Sequence, residues 1–321
     1  MAAMTGVVTM TRVVTMSGYQ ALREHVAWID LSGRGKIRAT GEDRARLLHA
    51  MTTQQVEQMK PGEGAYAFFL NAQGRILGDV NLFCFEEYFL LDTEPETRQK
   101  LFEHLDRYII ADDVTLEDLT EEMATIAIEG PQAASVLEKL GAPIPETPYQ
   151  TRAWGDRIVA RVSSTGSEGF FVFLPASGRS ELTGQLGAVR EASADDARRV
   201  RIEHGHPRYG EEITERYLVQ ETGQTHAVNF TKGCYLGQEI VERVRSRAQI
   251  HRVLRRLEID ALEPPAAGTK LTSGGADAAE IASSAFSPAL AKVVALAYVR
   301  VQFAEPGTEL RLGDARVRVT T

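Results

Sequence analysis

The apolar pattern changes character at His251, and that change limits the folds open to the chain more than any other feature. From there to the end, short alternating runs are separated by turns: His251–Asp260, Lys270–Thr272, Glu280–Phe286, Lys292–Val301 and Arg316–Thr320. Strands at this spacing with no helix between them describe a small all-β module over 251–321. Before His251 strands and helices are mixed, so the whole reads as α+β, with no solenoid period.

In that mixed part the spacing predicts helices over Ser17–Val26, Glu94–Ile110, Ser177–Arg190, Ala194–His204 and Leu236–Ala248. Another follows Thr40, read as an N-cap ahead of Gly41-Glu42-Asp43, and one opens at Gly130-Pro131. Strands are predicted at Lys36–Ala39, Ala65–Leu70, Arg75–Phe85, Tyr88–Asp92, Val114–Leu119, Met123–Ile128, Arg157–Ser163 and Gly169–Leu174. The loop Asn71–Gly74 closes a hairpin between two of them. Gly141–Thr151 carries three prolines and reads as a loop. Arg208–Gly233 has little periodicity, and segments of that length inside a domain are usually functional.

The net charge of −8 disfavours direct DNA binding. Two cysteines in 321 residues make no disulfide framework. Cys84 sits in an apolar run and reads as a small core residue. Two distant cysteines and seven scattered histidines give no metal-ligand spacing, so no metal site is expected. No apolar run is long enough to span a bilayer and no signal peptide is evident, which places the chain in the cytoplasm, away from membranes.

The densest chemistry lies in Lys232-Gly233-Cys234-Tyr235-Leu236-Gly237-Gln238-Glu239. Two glycines bracket a cysteine just before a helix. Glycine permits close approach of a ligand, while the helix start and Lys232 both favour negative charge at Cys234. The residues alone leave two readings open, a reactive thiol or an inert buried cysteine.

This stretch resembles the signature of the YgfZ family, which is similar in fold to the glycine-cleavage T-protein, an aminomethyltransferase. Arg201-x-Glu203-x-Gly205-x-Pro207-Arg208-Tyr209-Gly210, Asn71-x-x-Gly74-Arg75-Ile76-Leu77-Gly78-Asp79 and Ser284-Ala285-Phe286-Ser287-Pro288 resemble it too. The similarity runs from about Trp28 to Ala297. It implies a folate-binding fold of two interleaved α+β subdomains over 17–250, with a small C-terminal β-barrel over 251–321. It also implies tetrahydrofolate or a derivative as ligand. The role it implies is assembly or maintenance of iron–sulfur clusters in client enzymes, tRNA-modifying ones among them, through contact with client or assembly proteins.

Under that resemblance Cys234 is the key thiol, and Lys232, Gly233, Tyr235, Gly237, Gln238 and Glu239 border the ligand. Asp79 matches the second member of an Asp-Asp pair that the T-protein uses near the folate's reactive nitrogen. The first member is replaced here by Gly78, which suggests binding kept and transfer lost. Glu203 and Glu221 are candidates for the donor edge of the pterin ring, although Glu203 on a helix could equally pair with a nearby Arg. Arg243 and Arg247, at i,i+4, are candidates for the folate's glutamate carboxylates, or belong to a solvated helix face. Three functions stay open. They rank as iron–sulfur assembly factor, non-catalytic folate-regulated adaptor, and folate-dependent one-carbon transferase.

Residues 1–16 hold four methionines and are expected to be a disordered extension, with Met10 or Met16 as the true start. Intact mass of the protein made from its native gene checks this, and a mass matching Met1 overturns it.

Overall fold

The computed structural model describes residues 16–247 and 250–320, so the expected N-terminal extension falls almost wholly outside the described residues. The chain runs α1 (Gly18–Glu24), β1 (Ala27–Asp30), β2 (Gly35–Thr40), α2 (Arg44–Met51), β3 (Gly64–Leu70), β4 (Ile76–Cys84) and β5 (Tyr88–Thr93). It continues through α3 (Arg98–Asp106), β6 (Thr115–Asp118), β7 (Met123–Glu129), α4 (Ala133–Lys139), β8 (Thr151–Trp154), β9 (Arg157–Ala160) and β10 (Gly169–Pro175). Then come α5 (Arg179–Leu186), β11 (Arg190–Glu191), α6 (Ala194–Glu203) and α7 (Gln238–Arg247). The last six strands are β12 (Arg252–Ile259), β13 (Lys270–Ser273), β14 (Ala276–Ser287), β15 (Lys292–Arg300), β16 (Glu309–Leu312) and β17 (Ala315–Thr320).

Two open sheets and one closed barrel result. One sheet has the order β3-β4-β5-β2-β6, the other β11-β1-β7-β10-β9-β8, and the barrel β12-β15-β14-β13-β16-β17. The chain starts in the second sheet with β1, leaves to build the whole of the first, and returns with β7. The sheets face each other through an aromatic layer in which Phe83 meets Phe173 edge-on at 5.6 Å. Helices α2 and α3 cover the far side of the first sheet, and α4 and α5 the far side of the second.

β15 explains its uninterrupted apolar run. Val293, Ala295, Ala297 and Val299 fill the barrel. The alternate residues Val294, Leu296 and Tyr298 pack outward with Ile202 of α6 and with Tyr217. A strand buried on both faces has no polar alternation to show.

Local differences from the sequence reading have local causes. Thr40 closes β2 rather than capping a helix, because Gly41 turns the chain at φ +102° against the Asp113 carbonyl; α2 starts after Asp43. The helix expected over Glu94–Ile110 is a 3-10 turn at Pro95–Thr97 followed by the shorter α3. Gly187 at φ +57° ends α5 early, and Gly237 at φ +84° delays α7 to Gln238. β8 and β16 lie in stretches that the turn residues had hidden. Cys84 is buried in the core of the first sheet, and burial raises its thiol pKa.

A buried ion pair ties the parts together. Arg201 of α6 donates Nη1 to Glu212 Oε2 at 2.7 Å and Nη2 to Oε1 at 3.1 Å. The backbone N–H of Arg208 and the hydroxyl of Ser283 also donate to that carboxylate, and the Tyr298 hydroxyl donates to the Glu212 carbonyl at 2.8 Å. Removing one member of such a pair strands the other charge. Glu212→Ala is therefore expected to cost about 3–5 kcal/mol of unfolding free energy in a denaturant titration. Glu117→Ala, which breaks a half-exposed pair with Arg38, is expected to cost under about 1 kcal/mol.

Candidate functional site

A cavity of about 760 Å³ opens where the two sheets, α6 and the segment after it converge. Its size suits a small organic ligand. The loop between β1 and β2 brings Arg34. The first sheet brings Tyr66, Asp79 and Asn81, and the turn after β5 brings Glu94. Tyr149 enters from the proline-rich loop, Glu168 from the loop before β10, and His206, Arg208 and His226 from the segment after α6.

Hairpin register decides what faces the cavity. Phe68 pairs with Asp79, and Tyr66 with Asn81. Tyr66 is thus a diagonal neighbour of Asp79 on the same face. Its hydroxyl donates to Asp79 Oδ2 at 2.6 Å. Burial, reinforced by the nearby Glu94 carboxylate, pushes the Asp79 carboxyl up to about 6, against the opposing pull of the Tyr66 hydrogen bond and Arg34. Asp79 therefore exchanges a proton close to neutral pH, a property suited to general acid–base work.

Position 78 points the other way. A Cβ added to Gly78 would lie 3.0 Å from Leu101 Cδ1, in the core beneath α3. Successive strand residues face opposite sides. A carboxylate at position 78 would therefore point away from the cavity, so glycine there removes no acid from the site. The inference that Gly78 marks lost transfer chemistry is corrected by this geometry.

Charged groups hold the remaining wall. Arg34, buried, donates Nε and Nη2 to Asp92 at 2.8–3.0 Å and bonds Glu94. Arg208 donates Nε to Glu94 Oε2 at 2.9 Å and reaches Glu96. Glu129, wholly buried, accepts from the backbone and hydroxyls of Ser164 and Thr165 and from the Ser163 hydroxyl, which shapes the loop that carries Glu168. Glu168 itself accepts from Arg161 at 3.1 Å.

Among the described residues, Asp79 is the one predicted site residue that lines this cavity, joined by Arg201, Pro207 and Arg208 of the quoted motif. Glu203 accepts from the Tyr19 hydroxyl at 2.6 Å and pairs with Arg23, which fastens α1 to α6. Glu221 accepts from the Leu218 N–H and from Arg252 Nε, both at 2.9 Å, which ties its loop to β12. Lys232 is buried, its ammonium donating to the His49 and Thr52 carbonyls at the C-terminal end of α2 and lying 4.8 Å over the Tyr235 ring. Burial lowers its pKa to about 7.

Gly233 lies beside His49, and Gly237 fits against the Asn71 carbonyl where a Cβ would come within 2.6 Å. The Gln238 side chain accepts from the Tyr235 N–H, and Glu239 is exposed. Cys234 is exposed and borders no part of the cavity. Arg243 is exposed on α7, and the side chain of Arg247 lies outside the described residues. The signature thus forms one outward loop seated on α2 and the β3–β4 hairpin. Tyr66, Tyr149, Arg34, Glu94, Glu168, His206 and His226 were not foreseen as site residues. For Tyr66 the signal was available: once Asn71–Gly74 fixes the hairpin, alternation carries it to Asp79's face.

Among the described residues no group of three or more His, Cys, Asp or Glu could hold a metal ion, and no helix is long and apolar enough to cross a membrane.

The GCVT N-terminal domain family matches residues 10–232, and the glycine cleavage T-protein C-terminal barrel domain matches residues 252–320. The chain belongs to the glycine cleavage T-protein family. An aminomethyltransferase of Rubrobacter xylanophilus is 30% identical over 290 residues, covering 88% of this chain and 78% of that one. One from Streptomyces coelicolor is 29% identical, covering 90% and 82%. The crystal structure of the glycine cleavage system aminomethyltransferase T of Bartonella henselae superposes with a TM-score of 0.86 at 25% identity, covering 95% of this chain and 87% of that one. This T-protein-family chain thus has the expected α+β fold with its closed C-terminal barrel.

The raised Asp79 carboxyl has a consequence for stability. Between its ordinary value of 3.8 and about 6, the folded state holds a proton that the unfolded state has released. Stability therefore falls as pH rises through that window. Asp79→Asn is expected to stabilise the protein by up to about 2–3 kcal/mol at pH 7.5 and by under about 1 kcal/mol at pH 4, read by denaturant titration at both. Equal effects at the two pH values would rule the ionisation out as the cause.

Proposed function

We propose that this chain is a tetrahydrofolate-binding protein that handles one-carbon units in the manner of the T-protein. Asp79 carries the reading: it is a buried carboxyl, poised near neutral pH, on the wall of a ligand-sized cavity, with its hydroxyl partner Tyr66 beside it. The cavity suits a reduced folate. Tyr66, Tyr149 and Phe171 offer aromatic walls for a pterin ring, and Glu168 offers a carboxylate to its donor edge.

Tetrahydrofolate, when bound, supplies a nitrogen that accepts the one-carbon unit. The protein's own contribution is to hold a proton at the Asp79 carboxyl, orient that carboxyl through Tyr66, and enclose the site between two sheets. The relatives named aminomethyltransferase favour transfer over the assembly role ranked first from the sequence.

A second reading keeps Cys234 as the key thiol of an iron–sulfur assembly or maintenance factor, serving client enzymes that include tRNA-modifying ones. The exposure of Cys234, apart from the cavity, favours it: the thiol is open to another protein and leaves the ligand site untouched. Folate would then act as an adjacent ligand, or as the regulator of a non-catalytic adaptor.

Anaerobic calorimetry with tetrahydrofolate on wild type and Cys234→Ala separates these readings. Equal binding by both is expected, with formation of a one-carbon tetrahydrofolate from an aminomethyl donor lost in Asp79→Asn. Turnover retained in Asp79→Asn removes the transferase assignment. No binding by wild type removes folate altogether. Failure of Cys234→Ala to restore iron–sulfur enzyme activity in a deletion strain, with turnover intact, would favour the second reading.

A further inference from the structure

Several polar groups on the cavity wall are left uncommitted by the protein. His206 lines the cavity, yet neither of its ring nitrogens has a hydrogen-bond partner among the described residues. Of the histidines nearby, one is hydrogen-bonded, while the other, on the same wall, is stacked and its ring nitrogens are likewise without a partner among the described residues. His204 bonds the Thr165 carbonyl at 3.0 Å through Nδ1, and the His226 ring stacks on Tyr66 at 5.6 Å.

The His206 backbone is fixed from both sides. Its N–H donates to the Arg201 carbonyl at 3.0 Å, and its own carbonyl accepts from Arg201 Nη1 at 2.7 Å. Arg201 is in turn held by Glu212. Gly166, at φ +76°, leaves room for the ring: a Cβ there would lie 3.1 Å from the His206 Cβ. The imidazole is thus positioned by a rigid frame and faces the ligand space with nothing to bond.

We infer that His206 is a ligand-contacting residue of the cavity, giving the bound molecule one imidazole hydrogen bond, either from its N–H or to its bare nitrogen. A pterin ring carries donors and acceptors along its edge and so offers a partner for either nitrogen, and the inference rests on the folate reading above. A neutral imidazole is the side chain that offers both roles from one rigid ring. Burial, with Arg201 and His226 adding positive charge and Glu94 opposing them, lowers its pKa to about 4. His206 therefore keeps this neutral form across the whole range in which Asp79 titrates.

The test is tetrahydrofolate binding by anaerobic calorimetry from pH 5 to 7.5, for wild type, His206→Leu and His206→Gln. His206→Leu is expected to weaken binding about tenfold at every pH, the loss of one neutral hydrogen bond. Glutamine, with its own donor and acceptor, is expected to recover part of that loss. In both variants the inflection near pH 6 that belongs to Asp79 should stay in place, an outcome that general damage to the site would not leave. Wild-type affinity in His206→Leu overturns the assignment. So does a shifted inflection, or a loss that glutamine does not ease, since each marks a merely structural role. No binding by wild type is a different result: it overturns the folate reading and takes this assignment with it.

Discussion

Glu212 accepts hydrogen bonds from α6, from the segment after it and from the C-terminal barrel. α6 reaches it through Arg201, the segment after α6 through the Arg208 N–H, and the barrel through Ser283 and Tyr298. A carboxylate out of water is tolerated only when its lone pairs are filled, and here they are filled by elements far apart in sequence. The same arginine that satisfies Glu212 fixes His206, and Arg208, placed by its N–H on Glu212, steadies Glu94 beside Asp79. Cavity geometry and domain assembly therefore depend on one buried charge.

The fold was legible where pattern and environment agree. Five of the six barrel strands, the β3–β4 hairpin and helices α1 and α6 followed from apolar spacing and turn residues. The pattern fell short where tertiary contact overrides local preference. Gly41 and Gly237 take left-handed turns imposed by neighbouring carbonyls, and these moved helix starts by two to four residues.

The site was less legible, for a physical reason. Motif density drew the reading to Lys232–Glu239, yet those residues make a close-packed loop in which Lys232 faces helix carbonyls and Gly237 faces a hairpin backbone. Glu203 and Glu221 are spent on joining elements. A carboxylate's partner in space cannot be read from its place in the chain. Asp79 was singled out by the resemblance alone, and strand alternation shows why Gly78 beside it costs the cavity nothing.

The order in which the sheets are threaded bears on how the protein is made. β1 emerges from the ribosome before the first sheet, yet its neighbours β7 and β11 come only after that entire sheet. A five-stranded unit with its own helices can therefore settle early, while β1 remains an unpaired edge until the chain returns to it. The strand next to the edge of the second sheet thus waits on partners made only after the whole first sheet. A nascent chain stalled between β6 and β7 would expose an aggregation-prone strand that the finished protein hides.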